Sequence, residues 1–205
     1  MAVLRKADVI DGAWSLVDSE GLDDLTMRRL GASLDVRGSA IYRHFPTKEA
    51  LLDAMADRLL EGAVDSLPDI AWPDQLALLA DRLRTALLSR RDGARVVAGA
   101  FANGANTIAG TELAISVLCR AGLRPAQAGW LAFALFYYVL GHTIEEQAQV
   151  RMPPGDDWRS RTDRLDIPTS SQYEEALESL TSVDPAERFA YGLRTFIEGI
   201  ISRAS

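Results

Sequence analysis

Between Leu25 and Lys48 the chain reads LTMRRLGASLDVRGSAIYRHFPTK, a pattern for two short helices joined by a tight turn, with a third helix starting at once. Thr26 offers a side-chain oxygen to cap a helix running to Ser33 or Leu34. Leu34-Asp35-Val36 makes the turn, and the next helix spans about Gly38 to His44. The turn calls for a left-handed residue. Glycine takes that conformation most readily, and Asp35 tolerates it at modest cost. Ala32, Leu34, Ala40 and Ile41 are the residues that pack the pair together. Phe45-Pro46 then breaks the chain direction, and Thr47 caps a helix whose first turn holds Glu49, where the helix dipole favours a carboxylate. Few arrangements satisfy all of these signals, and a helix-turn-helix is the simplest.

Charge separates this segment from the rest of the molecule. It holds Arg28, Arg29, Arg37, Arg43 and Lys48 against Asp35, a balance of 5 − 1 = +4, whereas the whole chain carries −7. A basic island on an acidic protein usually faces something polyanionic. In a helix-turn-helix the second helix enters the major groove while the first crosses the backbone. Arg37 and Ser39, at the start of the reading helix, are then placed for base edges, and arginine is the commonest bidentate partner of guanine. Tyr42, His44 and Lys48 suit phosphates, which position a protein without specifying sequence. The plainer alternative is a solvated basic face on an ordinary helical hairpin.

The remaining sequence predicts an all-α protein, because apolar residues recur at spacings of three and four and no run alternates. A first helix covers about Arg5 to Glu20, the helix after Thr47 runs to about Val64, and another occupies Asp74 to Arg90. Arg91-Asp92-Gly93 turns into a helical segment from Ala94 to Gly122, interrupted at Gly99, Gly104 and Gly110. A long helix starts at Pro125. Polar sequence up to Ser171 reads as a loop, followed by helices at Gln172–Leu180 and Pro185 to about Arg203. The uncharged stretch from Pro125 to Ile144 is strictly apolar only from Trp130 to Leu140, too short to span a bilayer. Cys119 is the single cysteine, so no internal disulfide can form, and MAVLRKADVI offers no secretory leader; both point to the cytoplasm.

The first 64 residues resemble the DNA-binding domain of the tetracycline-repressor (TetR) family of bacterial regulators. The resemblance rests on Val9-Ile10, Ala13, Gly21-Leu22, Leu25-Thr26, Arg28, Leu30, Leu34, Val36, Ala40-Ile41-Tyr42, His44-Phe45, Lys48, Leu51-Leu52 and Ala54. LLSRRDGARV (87–96), LCRAGL (118–123), LGHTIEEQ (140–147) and FAYGLRTFIEGI (189–200) are similar to the effector domain of the tetracycline repressors themselves. The resemblance implies a helix-turn-helix domain over 1–47, a connecting helix over 48–64 and a ligand-binding and dimerisation domain over 65–205. It places Thr26, Arg28, Arg37, Gly38, Ser39, Tyr42, His44 and Lys48 on DNA-contacting positions. It also implies a homodimer on a palindromic double-stranded operator, paired through the final helix and the helix holding Trp130 to Ile144. Gly38 and Ala40 depart from the larger or polar groups that tetracycline repressors carry there, so an operator sequence does not transfer.

Tetracycline repressors take their drug as a magnesium complex held by a histidine, with a glutamate in its outer shell. Aligned through Arg91-Asp92-Gly93-Ala94, the histidine position here is Val97, and other polar positions become Val64, Leu79 and Leu113, leaving Glu145. A valine cannot ligate Mg²⁺, so no metal site and no cofactor are expected. The expected lining is Val64, Leu79, Leu83, Val97, Phe101, Leu113, Val117, Trp130, Phe133, Phe136 and Tyr137, with Asn103, His142 and Glu145 as orienting polar groups. Such a lining suits a hydrophobic effector. His142 and Glu145 read as a hydrogen-bonded pair at the pocket rim or the dimer seam. Two other functions stay open: a constitutive DNA-binding dimer with a filled core, and a helical metal-binding enzyme built on His142, Glu145 and Glu146.

Overall fold

The computed structural model describes residues 4–100, 104–153, 155–156, 158–165 and 167–204. Among them the chain forms eleven α-helices and one 3-10 turn, with no strand. Helix α1 (Lys6–Glu20) buries Val9, Ile10, Ala13, Trp14, Leu16 and Val17 on one face and closes at Gly21. The 3-10 turn Leu22–Asp24 leads into α2 (Met27–Ser33), whose N-cap Thr26 accepts the Arg29 N–H at 3.2 Å. Asp35 takes the left-handed turn at φ 51°, as its position predicts. Helix α3 (Gly38–Tyr42) ends two residues before His44, where the Phe45 N–H still bonds the Ile41 carbonyl at 3.0 Å. Phe45 itself is buried, which pins the end of the reading helix to the body.

Helix α4 (Lys48–Leu59) starts at Thr47, which accepts the Ala50 N–H at 3.1 Å. It is shorter than the predicted run to Val64. Gly62 at φ 78° takes a backbone conformation closed to most side chains, and the chain unwinds through it. Next come α5 (Trp72–Leu88), α6 (Gly93–Ala98) and α7 (Ala105–Arg120), then the long α8 (Pro125–Val150). The predicted loop before Ser171 contains one more helix, α9 (Trp158–Asp163). Charge rather than apolar periodicity holds it, since Arg161 and Arg164 both bond Asp156, at 3.1 and 2.6 Å. Helices α10 (Ser171–Ser182) and α11 (Pro185–Ala204) complete the chain.

One apolar core runs through both ends of the molecule, from Leu25, Leu30, Ile41 and Met55 around α2–α4 to Leu79, Leu118, Leu135 and Phe189 in the larger bundle. The reading head therefore shares its core with the body. None of the described helices is long and apolar enough to cross a membrane. Helix α8 instead buries Ala128, Ala132, Leu135 and Val139 and turns Trp130, Phe133, Tyr137 and Gly141 outward.

Candidate DNA interface and effector cavity

Arg37 is the N-cap of α3, with extended backbone, so its side chain leaves at the open end of the reading helix. Thr26, Arg28, Arg37, Ser39 and Tyr42 are exposed; Gly38, His44 and Lys48 are half-buried beside them. Tyr42 is 52% exposed at the end of α3. Among the described residues the side chains of Arg28, Arg37, Arg43 and Lys48 make no hydrogen bond or ion pair. Arg29 is the exception in this cluster, because it is ion-paired to both Glu20 and Asp24. Four of the island's cations are therefore left without an ion pair among the described residues, and the fifth braces α2 against the end of α1.

The body contains a narrow recess of about 50 Å³ that opens to solvent. It is lined by Leu60, Val64, Leu79, Leu83, Asn106, Thr107, Gly110, Thr111, Ala114, Ala132, Phe133, Leu135 and Phe136, none of them charged. Of the predicted lining, Val64, Leu79, Leu83, Phe133 and Phe136 converge here. Val97 and Val117 are buried in the core away from the recess, and Leu113 packs against that core. Trp130 and Tyr137 lie on the outer face of α8, 74% and 63% exposed. Phe101 and Asn103 lie outside the described residues. Sequence reasoning missed Asn106, Thr107 and Thr111, the polar edge of the recess; Thr107, Gly110 and Thr111 at helical spacing on one face of α7 were the available signal.

His142 and Glu145 are not the pair expected from sequence. Both i+3 and i+4 positions neighbour a helical residue, and here the i+4 residue, Glu146, is the one turned inward. His142 Nδ1 lies 3.8 Å from Glu146 Oε2, too far to bond, and has no hydrogen-bond partner among the described residues. Glu146 instead accepts two bonds from Arg84, at 3.0 and 2.6 Å, while Glu145 is exposed. Burial pushes the His142 pKa down; the charges of Arg84 and Arg188 act in the same direction, against Glu146. The imidazole packs edge-on to Phe189, with ring centroids 5.3 Å apart. This cluster sits in a separate surface recess with Tyr138, Gln149, Leu180 and Arg188.

Head and body are joined by a dense polar seam centred on Asp92, which is 2% exposed and left-handed at φ 56°. Its carboxylate accepts the Leu22 N–H at 3.0 Å and Arg95 Nη1 at 3.2 Å, and it is ion-paired to Arg151. Burial acts to raise the Asp92 pKa, but the Leu22 N–H and the guanidinium groups of Arg151 and Arg95 outweigh it and hold the carboxyl below its ordinary value. Arg95 also reaches Asp23 at 2.8 Å, and Arg90 reaches Asp18 at 2.6 Å. Gln147 of α8 closes the seam, accepting the Ala94 N–H and donating to the carbonyls of Leu87 and Arg90.

The side chains do not fit a magnesium–drug complex of the tetracycline-repressor kind. By the resemblance Val97 occupies the position of the metal-binding histidine, the described residues of the recess offer no carboxylate, and Glu145 faces solvent elsewhere.

The chain matches the family model described as bacterial regulatory proteins, tetR family, over residues 9–55, and the tetracyclin repressor-like C-terminal domain over residues 66–203. It is 34% identical over 208 residues to the tetracycline repressor protein class A from transposon 1721 of Escherichia coli, covering 99% of this chain and 93% of that one. Its fold superposes on the crystal structure of a possible TetR family transcriptional regulator from Streptomyces coelicolor A3(2), with a TM-score of 0.86, 37% identity, and 97% and 99% of the two chains covered. It also superposes on a TetR variant from Acinetobacter baumannii AYE in complex with minocycline, with a TM-score of 0.75, 32% identity, and 98% and 99% covered. Two domains in their proper order, matched by sequence and by fold, place this chain in the TetR family of bacterial regulators.

Proposed function

We propose that the protein is a homodimeric transcriptional repressor of the cytoplasm. It grips a palindromic operator through α3 and releases it when an uncharged, largely hydrophobic small molecule enters the recess between α5, α7 and α8. The observation that carries this reading is the set formed by Arg28, Arg37, Arg43 and Lys48, cations that make no hydrogen bond or ion pair among the described residues of a protein of net charge −7. Like charges kept together without compensation repel, and a phosphate backbone relieves that repulsion. Arg37 is suited to a base edge, and Thr26, Arg28, Tyr42, His44 and Lys48 to phosphates around it.

The outward residues of α8, Trp130 and Tyr137, together with Tyr191 and Ile201 of α11, support pairing with a second copy across a two-fold axis. Leu60 and Val64, directly after α4, line the recess, so a molecule entering there presses on the segment that carries the head. Only an effector that binds the two states unequally can release DNA. The uncharged lining of the recess supports this reading over a constitutive dimer, and entry of an effector has to widen it. The metal-enzyme alternative has less support: among the described residues no group of three His, Cys, Asp or Glu could hold an ion.

Gel-shift titration of the purified protein with DNA from upstream of its neighbouring genes tests the reading. Tight, salt-sensitive binding that uncharged aromatic compounds reverse is expected, and EDTA should leave that reversal intact. Loss of the response on chelation would restore a metal to the site, and failure to bind any duplex would remove the repressor reading.

A further inference from the structure

We infer that Asp57 of α4 is the positioning residue through which the recess sets the reading head; this rests on the repressor reading above. The first turn of α7 has no cap of its own, since its N-cap is Gly104. Asp57 supplies the cap from another helix. Its Oδ1 accepts the backbone N–H of Asn106 at 2.8 Å and of Thr107 at 3.3 Å. The Asn106 side-chain amide reaches back to the Asp57 carbonyl at 3.0 Å and to Oδ2 at 3.2 Å. A carboxylate at a helix N-terminus satisfies orphan donors and meets the positive end of the dipole. Gly104 makes the approach possible, because a Cβ there would collide with the Asp57 carboxylate.

Two facts turn this cap into a coupling element. Asn106 and Thr107, the residues Asp57 holds, also line the recess. The next residue on α4, Arg58, is ion-paired to Asp11 of α1 at 3.0 Å, so α4 is tied to the reading head on its other side. A molecule that displaces the first turn of α7 breaks the cap and frees α4; a bound operator, by holding α4 in place, favours the cap. Capped and DNA-competent are thus one state, and uncapped and effector-competent the other.

The test uses the full-length dimer, the duplex it protects in footprinting, and Nile red as a neutral hydrophobic probe. Asp57→Ala should weaken operator binding about five- to tenfold and strengthen Nile red binding, because removing the cap shifts the population toward the effector-competent state. Gly104→Ala should act in the same direction, and Asp57→Asn, which keeps one acceptor, should restore most of the operator affinity. Hydrogen exchange at Asn106 and Thr107 should slow when operator binds the wild type. A purely structural Asp57 would lower both affinities together or neither, and either result overturns the inference. If the wild type binds and releases its operator normally and Asp57→Ala matches it in both assays, the repressor reading stands and the role of Asp57 falls. If the wild type binds no duplex, both fall.

Discussion

Two groups of arginines in this molecule contrast, one in the reading head and one in the seam behind it. In the head Arg28, Arg37 and Arg43 stand in solvent without a partner among the described residues. In the seam Arg90, Arg95 and Arg151 are each ion-paired to an aspartate, and Arg91 donates to the Ser19 carbonyl at 3.0 Å. The same side chain therefore serves two purposes, and its partners tell them apart. A guanidinium whose charge is already matched within the chain stabilises the fold, while one left unmatched is available to an external anion.

The comparison can be broken or sharpened by substitution, and the largest effect belongs to the seam. Asp92→Asn keeps a residue that tolerates the left-handed backbone but removes the charge facing Arg95 and Arg151. It should lower unfolding free energy in urea by about 3 kcal/mol at pH 7, the low end for a broken buried pair because both guanidinium groups keep access to water. The carboxyl titrates below its ordinary value in the folded state, so its contribution is present above the unfolded pKa and is lost as pH falls through about 4 and below. The variant should accordingly show a flatter decline in acid than the wild type.

Next in size is Arg37→Ala, which should weaken operator binding by about 1–3 kcal/mol and relax discrimination at one base position, with little change in unfolding. An equal loss on every DNA sequence would make Arg37 a phosphate contact instead. Lys48→Ala should weaken binding uniformly and reduce the slope of log affinity against log salt by about 1. The smallest effect is expected from Arg29→Ala, worth roughly 0–1 kcal/mol of stability and with no change in that salt slope, because its charge already answers Glu20 and Asp24. If Arg29→Ala changed the salt slope as much as Lys48→Ala, the division between matched and unmatched cations would fail.

The head was legible from sequence because its signals are local. Thr26 and Thr47 cap within three residues, and Asp35 takes the left-handed turn where the spacing requires it. The recess was half legible. The resemblance, together with apolar side chains, picked out Val64, Leu79, Leu83, Phe133 and Phe136, but hydrophobicity alone cannot say whether a residue faces a cavity or fills a core, and Val97 and Val117 fill the core. Asn106 and Thr107 escaped notice because they lie inside a stretch, 94–122, read as one interrupted helix, where polar side chains carry no apolar period. The seam was the least legible part. Asp92 was placed in a turn, yet its partner Leu22 lies 70 residues away and Arg151 lies 59 away. Partners so distant in the chain leave no periodic trace.

Hydroxyl-radical footprinting of the dimer on its operator bears most directly on the claim that the unmatched cations form the DNA-reading face. Two equivalent protected half-sites are predicted, with centres about 34–36 Å apart or a multiple of that. Protection should weaken in Arg37→Ala and persist in Arg29→Ala. A single protected patch, or protection that survives loss of Arg37 but not of Arg29, would contradict the account.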